Sequence, residues 1–349
     1  MLPQHTKLDI ITEKNAWDRI LKNIQTYDVY HTYNYHHATK HEAHQAVLLV
    51  YTTNTSTIAL PLLLRPIEGT PYFDATSVYG YVGPLASGNL QPDTLKDFKQ
   101  LLQAFFEKKH IVSVFSRLHP FVAQTAMLDG MGTTTHIGNV VNIDITLPVD
   151  TQRTLFSKTT KRYLNKCYKQ FHVKTGKTAA DIAAFMALYY ENMDRVQATK
   201  AYYFSEAYFQ KLLESTDFDT QLLMAIDNTT NTVAAAALMI QTNTIVQYHL
   251  SGTNAAYLHL SPIRLLIDTM RIKATEAQCT HFNLGGGLGG SSDDALFNFK
   301  ASFSKDFKAF KVWKYIVNTE VYNALVTQNN IQETNDDTYF PLYRKHEAD

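Results

Sequence analysis

Five of the chain's 14 glycines stand within a span of six residues, at Gly285, Gly286, Gly287, Gly289 and Gly290. Glycine gathers where φ must turn positive or where another molecule has to approach the main chain. Phe282-Asn283-Leu284 before the cluster reads as the end of a buried strand. Ser291, Ser292, Asp293 and Asp294 after it supply N-cap chemistry for a helix. Leu296, Phe299 and Phe303 then fall at i, i+3 and i+7, an apolar helical stripe, and beside it lies one cation, Lys300. The stretch thus dictates a strand, a glycine loop and a capped helix, and it supplies the first candidate functional residue. A lysine in such company either snorkels to water or serves chemistry. The spacing does not fit a dinucleotide fingerprint, because no βαβ unit follows it, and it lacks the lysine-serine or lysine-threonine ending of a phosphate-binding P-loop.

A chain of 349 residues, 45% of them hydrophobic, is long enough for two packed domains. Its 32 basic and 32 acidic residues cancel, so attraction to nucleic acid or membrane must come from local patches rather than a global field. Cys167 and Cys279 are the only cysteines, which excludes a disulfide framework and any cysteine-based zinc site. The N-terminal segment has no apolar core of a signal peptide, and no segment approaches the length of a membrane span. A cytoplasmic location is the expectation. The 21 tyrosines and 19 phenylalanines suit a long cleft holding sugars, peptides or bases.

The first half reads as a strand (Lys7 to Ile11), a helix (Glu13 to Ile24), a hairpin (Ala46 to Thr52 and Ser56 to Leu64), a helix over 91–108 and the strand Ile111 to Arg117. His37, His41 and His44 fall at i, i+4 and i+7, but no carboxylate or thiolate stands at ligand spacing except Glu42, which would point elsewhere, and this favours a polar helix face over zinc. Tyr79 and Tyr81 share one face if 72–85 is extended. Arg117, at a strand end, is placed either for an anionic group or for a surface ion pair. A strand over 138–147 leads to an expected domain boundary at Pro148-Val149-Asp150, dividing the chain into 1–150 and 151–349.

Between Thr151 and Thr178 stand Arg153, Lys158, Lys161, Arg162, Lys166, Lys169, Lys174 and Lys177, with no acid among them. On a helix, Lys158, Arg162 and Lys166 align at i and i+4 and repel one another. A solvated basic face and a phosphate partner, from nucleotide, lipid or RNA backbone, both account for the row. Two helices (Ala179 to Arg195, Ser205 to Glu214) and three antiparallel strands (Gln221 to Ile226, Val233 to Thr242, Thr244 to Ser251) follow. A helix starting at Ser261-Pro262, the strand His281 to Leu284, a helix over 293–303, the strand Phe310 to Asn318 and a last helix from Glu320 complete the reading.

The two halves share one coarse order of helices, antiparallel strands, a helix and a strand. Together with Tyr248-His249-Leu250-Ser251-Gly252-Thr253, Phe282-Asn283-Leu284-Gly285-Gly286 and Phe297-Asn298-Phe299-Lys300, this order resembles the FemABX-like, double-GNAT acyltransferases. The nearest branch is that of the BioF-like acetyltransferases. Asp74-Ala75-Thr76-Ser77-Val78-Tyr79-Gly80-Tyr81-Val82-Gly83-Pro84, Phe115-Ser116-Arg117-Leu118-His119-Pro120, Arg162-Tyr163-Leu164-Asn165-Lys166 and Arg195 extend the likeness over roughly residues 8–325. It implies an α/β (α+β) fold of two tandem GNAT-like domains, each a mixed, largely antiparallel sheet flanked by helices. It also implies an N-acyltransferase carrying an acyl or aminoacyl group to an amine of a cell-envelope precursor, an amino sugar or peptidoglycan peptide, by direct attack. Acyl-CoA or aminoacyl-tRNA would be the co-substrate, with no tightly bound cofactor and no metal.

By the same resemblance Lys300, Phe299 and Tyr248 are catalytic. Substrate binding falls to Arg195, Arg162, Arg117, Tyr79, Tyr81, Lys40, Gly285, Gly286 and Ser251. Implied partners are a small-molecule or lipid-linked amine, tRNA along the basic segment 153–177, and peripheral membrane contact without a transmembrane segment. One departure stands out. Ordinary acetyl-CoA members hold pyrophosphate on a glycine-bearing loop ahead of a helix, and here that segment, Ala255-Ala256-Tyr257-Leu258-His259-Leu260-Ser261-Pro262, has no glycine. A noncatalytic nucleic-acid-binding module and an inactive envelope-biosynthesis scaffold are the alternatives.

Overall fold

The computed structural model describes residues 7–287, 294–329, 331 and 339–347. The first part of the chain forms β1 (Leu8–Ile11), α1 (Lys14–Ile24), α2 (Tyr33–Thr39), β2 (Gln45–Thr52), β3 (Ser56–Pro66), β4 (Phe73–Thr76), β5 (Leu85–Gly88), α3 (Pro92–Lys108) and β6 (Ile111–Arg117). Next come β7 (Thr133–Asp144), α4 (Val149–Thr154), α5 (Lys158–Gln170), β8 (Phe171–Gly176), α6 (Ala179–Arg195), α7 (Glu206–Leu213), β9 (Asp219–Asp227), β10 (Val233–Thr242) and β11 (Ile245–Thr253). The chain continues with α8 (Ile263–Glu276), β12 (His281–Gly285), α9 (Ala295–Lys300), β13 (Asp306–Ile316) and α10 (Thr319–Gln328).

These elements form two compact units. The first comprises the chain up to Ile137 and again from Phe310 onward, and the second is Gly138–Ala309. The expected division at 150 into two contiguous domains is therefore corrected at both ends. The physical reason is strand pairing: β13 closes antiparallel on β6, with Val312 opposite Arg117 and Ile316 opposite Ser113, so the last part of the chain packs with the first unit.

In the first unit β2 and β3 form the expected hairpin, with Leu49 opposite Leu60, flanked by β1 and by β4 and β5. The six central residues of β2 are all buried, which is why Ala-Val-Leu-Leu-Val-Tyr is a continuous apolar run and not an alternation. Helix α3 opens with Pro92 in its first turn, where a missing N–H costs nothing, and buries Phe98, Leu102, Phe105 and Phe106 at helical spacing. Those rings meet Val47, Leu60, Leu62 and Trp313 in one core. Strand β4 ends at Thr76, so Tyr79 and Tyr81 do not stand on a common strand face. Gly80 between them takes φ 123°, and a Cβ there would strike the Tyr30 ring at 2.2 Å.

In the second unit β8, β9, β10 and β11 run antiparallel in sequence, β12 joins β11 in parallel, and β7 pairs antiparallel with β12. A parallel step needs a crossover, which α8 provides. Its Leu265, Leu266 and Met270 pack with Ala235, Ala237, Phe282 and Phe303 in this unit's core. Gly252 on β11 lets α6 lie close, since a Cβ there would meet the Leu188 backbone at 2.4 Å. Strand β8 is an addition to the reading from sequence. Its residues His172, Lys174 and Thr175 are polar and its pairing with β9 is long-range, so no local alternation announces it.

Candidate active site

The second unit gathers its distinctive chemistry where β11, the start of the glycine loop and α9 come together. Residues three apart on a regular strand point to opposite faces, yet the Tyr248 hydroxyl and Ser251 Oγ are hydrogen-bonded. The reason is a bulge. Leu250 pairs with Leu238 and Tyr248 with Met239, so His249 is an extra residue without a register partner, and the inserted residue returns Tyr248 to the side of Ser251.

The neighbouring strand fixes the loop. Buried Asn283 donates to Gln247 Oε1 at 2.9 Å and accepts the Gly285 N–H at 2.9 Å, so the turn at the strand end is pinned by a side chain. Gly285 sits at φ 78°, the left-handed region that favours glycine. At the far side Asp294 caps α9, accepting the N–H groups of Leu296 and Phe297 at 2.9 and 3.0 Å. A Cβ at Gly287 would collide with that carboxylate, at 2.0 Å. Gly289, Gly290, Ser291, Ser292 and Asp293 lie outside the described residues, and α9 occupies the middle of the expected 293–303 helix.

Lys300 is only 8% exposed. Its Nζ donates to the Gly286 carbonyl at 2.7 Å and lies 5.9 Å from the centre of the Tyr248 ring. Burial disfavours the ammonium and brings its pKa down to about 8, with Asp294 pulling weakly the other way. Among the described residues no carboxylate comes within ion-pair distance of it. Burial moves Tyr248 the opposite way for an acid, up to about 12, so it stays a phenol that can donate a hydrogen bond. Phe299 is partly buried against Phe303, and the Arg264 guanidinium sits 4.5 Å from its ring centre. A cation, a phenol and a glycine carbonyl therefore converge, with the Asp294 carboxylate acting on the cation from beyond ion-pair distance.

The other candidates are placed as follows. Arg162 is exposed on α5, with its guanidinium 5.6 Å from the Tyr163 ring centre, and Lys158 and Lys166 continue its row, all exposed. Arg195 ends α6, is exposed, and donates to Asn192. In the first unit the Arg117 guanidinium lies 5.4 Å from the Phe115 ring centre and 5.9 Å from that of Tyr79, and it makes no ion pair among the described residues. Tyr81 packs edge-on against Tyr30 and Phe310, and Lys40 is the C-cap of α2. Helix α2 ends at Thr39, so His41 and His44 leave the helical row with His37, and no metal-binding cluster of His, Cys, Asp or Glu occurs among the described residues. No described helix is long and apolar enough to cross a membrane.

Reading the sequence missed Arg264. It is 8% exposed, in the first turn of α8, donating through Nη1 to Thr160 Oγ1 at 2.6 Å and Ser302 Oγ at 2.9 Å. The signal was the apolar company of Arg264, between Ile263 and Leu265-Leu266-Ile267 in a first turn that the structure buries entirely. A cavity of roughly 580 Å³ in the same unit, lined by Gln210, Glu214, Thr220 and Lys273 among others, includes none of Lys300, Phe299 and Tyr248.

Residues 155–300 match the family model for the acetyltransferase (GNAT) domain. The fold is that of FemX, with a TM-score of 0.71 at 13% identity over 90% of this chain and 99% of that one. L-PGS from Bacillus licheniformis gives 0.57 at 12% identity, over 91% of this chain and 96% of that one. A tandem GNAT protein from the clavulanic acid biosynthesis pathway gives 0.50 at 8% identity, over 88% and 98%. Among curated proteins no sequence matches. The tandem GNAT fold is thus established, and the matched GNAT domain contains Tyr248, Phe299 and Lys300.

Proposed function

We propose that this GNAT N-acyltransferase moves an acyl or aminoacyl group from an activated donor to an amine of a cell-envelope precursor, by direct attack on the carbonyl. One observation carries the reading: a buried lysine, without an acidic ion-pair partner among the described residues, held on a glycine carbonyl beside a phenol. As the amine nitrogen bonds to the carbonyl carbon, negative charge gathers on the carbonyl oxygen. A fixed cation in a water-poor site stabilises that charge far better than water does. With its pKa near 8, Lys300 is still mostly ammonium at neutral pH and needs no partner to be rearranged first. Collapse of the intermediate breaks the bond to the leaving oxygen or sulfur, which takes a proton as the attacking nitrogen loses one. Tyr248, a phenol throughout, can relay that proton.

The donor is better read as aminoacyl-tRNA than as acyl-CoA. Residues 255–260, where a pyrophosphate loop would stand, wind into a short 3-10 helix. The Ala255 N–H is taken by Glu191, that of Ala256 by the Asn254 side chain, that of Tyr257 by the Asn254 carbonyl, and that of Arg264 by Ser261. Amides already occupied cannot cradle a phosphate without breaking those bonds. The exposed Lys158, Arg162 and Lys166 row offers an RNA backbone side-chain cations instead. The fold shared with FemX and L-PGS is in keeping with acyl or aminoacyl transfer. Arg195 is proposed to add to substrate binding in this unit, and Arg117, Tyr79, Tyr81 and Lys40 to bind the acceptor. The location proposed is cytoplasmic, with peripheral membrane contact. Intact-mass analysis of an amino-sugar and lipid-linked amine panel, incubated with charged tRNA and separately with acetyl-CoA, tests the reading. Acyl transfer from charged tRNA is expected, and no mass gain with either donor would leave a scaffold or a nucleic-acid-binding module.

A further inference from the structure

The cavity of roughly 580 Å³ in the second unit lies where strand β8 stops. β8 pairs with β9 from Phe171 opposite Asp227 to Gly176 opposite Leu222, and there its chain leaves the sheet for α6. The three residues of β9 beyond that point, Asp219, Thr220 and Gln221, keep Gln241, Ile240 and Met239 of β10 on one side and have no strand on the other among the described residues. Residues of an antiparallel strand alternate between exchanging both backbone bonds with a neighbour and pointing them away from it. At least one of the three therefore turns its N–H and C=O into the gap, where no other described backbone group meets them. The cavity fills this gap, with Leu213 of α7 and Lys273 of α8 among its walls. Its two ends differ in charge. Lys177 follows Gly176 at the Leu222 end, and Lys273 reaches the same end, donating to Gln221 Oε1 at 2.9 Å. Asp219 stands at the other end, where Gln221 Nε2 donates to it at 2.9 Å, and Glu214 adds a second carboxylate from the close of α7.

We propose that this notch is a docking site for a short extended peptide with free ends, which takes the place β8 vacates and adds a strand to the open edge of β9. Strand addition gives the outward-facing residue its main-chain bonds, while alternate side chains of the peptide reach the two sides of the edge. Both sides are present here, since Gln221 meets Lys273 of α8 and Thr220, next along the strand, points to the opposite face. A sugar or a nucleotide has no N–H and C=O pair repeating at strand spacing and would leave the edge unused. Charge sets the direction. A peptide running parallel to β9 brings its ammonium to Asp219 and its carboxylate to Lys177, whereas the reverse direction sets like charges against each other at both ends. Three extended residues span about 10 Å, the length of the open edge, and the cavity lies within the usual range of ligand pockets, roughly 300–1,000 Å³. Walls from α7 and α8 beside so short an edge leave room for a chain end rather than for the sheet of a second copy. The site is separate from Lys300, Phe299 and Tyr248, none of which lines it, and the inference does not depend on the acyltransferase reading.

The test titrates the full chain with the tripeptide Val-Val-Val carrying free ends, with its N-acetylated and C-amidated form, and with free valine, following the backbone amides by NMR. The free-ended tripeptide should shift resonances around the notch and slow amide exchange at whichever of Asp219, Thr220 and Gln221 faces outward. Thr175→Trp, at an exposed position of β8 that lines the notch, fills it and should abolish binding. Lys177→Ala should weaken the free-ended tripeptide roughly two- to fivefold, the effect of losing one exposed ion pair, and leave the capped form unchanged. Absence of any shift at the notch with about 10 mM tripeptide overturns the proposal, as does binding that persists in a folded Thr175→Trp. Free valine binding as tightly as the tripeptide overturns it too, because a lone amino acid cannot add a strand. A dimer of the free protein that Thr175→Trp dissociates, seen by sedimentation, would give the edge to a second copy and also overturn it. Should Thr175→Trp fail to fold, the wild type and Lys177→Ala decide. Unslowed exchange at all three β9 residues, or a free-ended tripeptide that binds both proteins equally, is then the overturning result. None of these readouts measures acyl transfer, so failure here leaves the acyltransferase reading standing, and loss of that reading leaves this site.

Discussion

The two units bury charge in opposite ways. In the first, Asp74 is fully buried and is met by Arg65 at 2.6 Å, by Arg344 and by the Tyr343 hydroxyl, while buried Asp28 is met by His119 at 3.0 Å and caps the turn at Val29. In the second, Asp268 is closed in the same manner, but Lys300 and Arg264 are buried cations whose described partners are only a carbonyl and two hydroxyls. A closed network holds structure together, since each charge has its answer inside the protein. A buried cation answered only by neutral oxygens keeps its field for something that arrives later. This difference separates architecture from chemistry better than burial alone, because Asp74 and Lys300 are alike in being hidden from water.

The contrast can be broken most forcefully at Asp74. Replacing it with Asn leaves Arg65 and Arg344 without their shared carboxylate and should cost about 3–5 kcal/mol of stability, read by denaturant unfolding, while the folded fraction retains its turnover. Lys300→Met should do the opposite on both counts. Acyl transfer should fall by roughly 10²–10³, the usual effect of removing one oxyanion donor, and stability at pH 7 should rise. The sign follows from the pKa. Lys300 titrates near 8 in the folded protein and near its ordinary 10.5 when unfolded, so between those values the unfolded chain binds the extra proton. Wild-type stability should therefore climb from about pH 8 to 10.5, by up to about 3 kcal/mol, where Lys300→Met stays flat.

Tyr248→Phe comes next. It removes the hydroxyl bonded to Ser251 without emptying the ring's place, and should lower kcat roughly 10²-fold if the phenol carries the proton. A change confined to KM would move Tyr248 from the chemistry to binding. The smallest effect belongs to the open row on α5. Lys158→Ala should leave stability within about 0.5 kcal/mol and reduce the salt slope of RNA binding by about 0.7, measured by titration at several ionic strengths.

Much of this was legible before any coordinates. The β2–β3 hairpin, α3, β6 and the order from α6 to β12 follow from apolar runs, caps and turn residues that act locally. Lys300 stood out because a cation sat among Leu296, Phe299 and Phe303 just after a glycine cluster. What stayed hidden depends on partners far away in sequence. The side shared by Tyr248 and Ser251 comes from a bulge at His249 that only the pairing with β10 reveals. The burial of Arg264 is visible only once Thr160 and Ser302, 104 and 38 residues away, are seen to take its Nη1. The division of the chain at 150 missed the same kind of partner, since β13 pairs with β6, placing Val312 opposite Arg117.

The measurement that bears most directly on the account is the single-turnover rate of acyl transfer from charged tRNA, compared between wild type and Lys300→Met across pH 6 to about 10. Wild type should hold its rate below about pH 8 and lose it as the Lys300 ammonium deprotonates, with Lys300→Met slow and flat throughout. A folded Lys300→Met that transfers at the wild-type rate would contradict the claim that this buried cation meets the charge of the transition state.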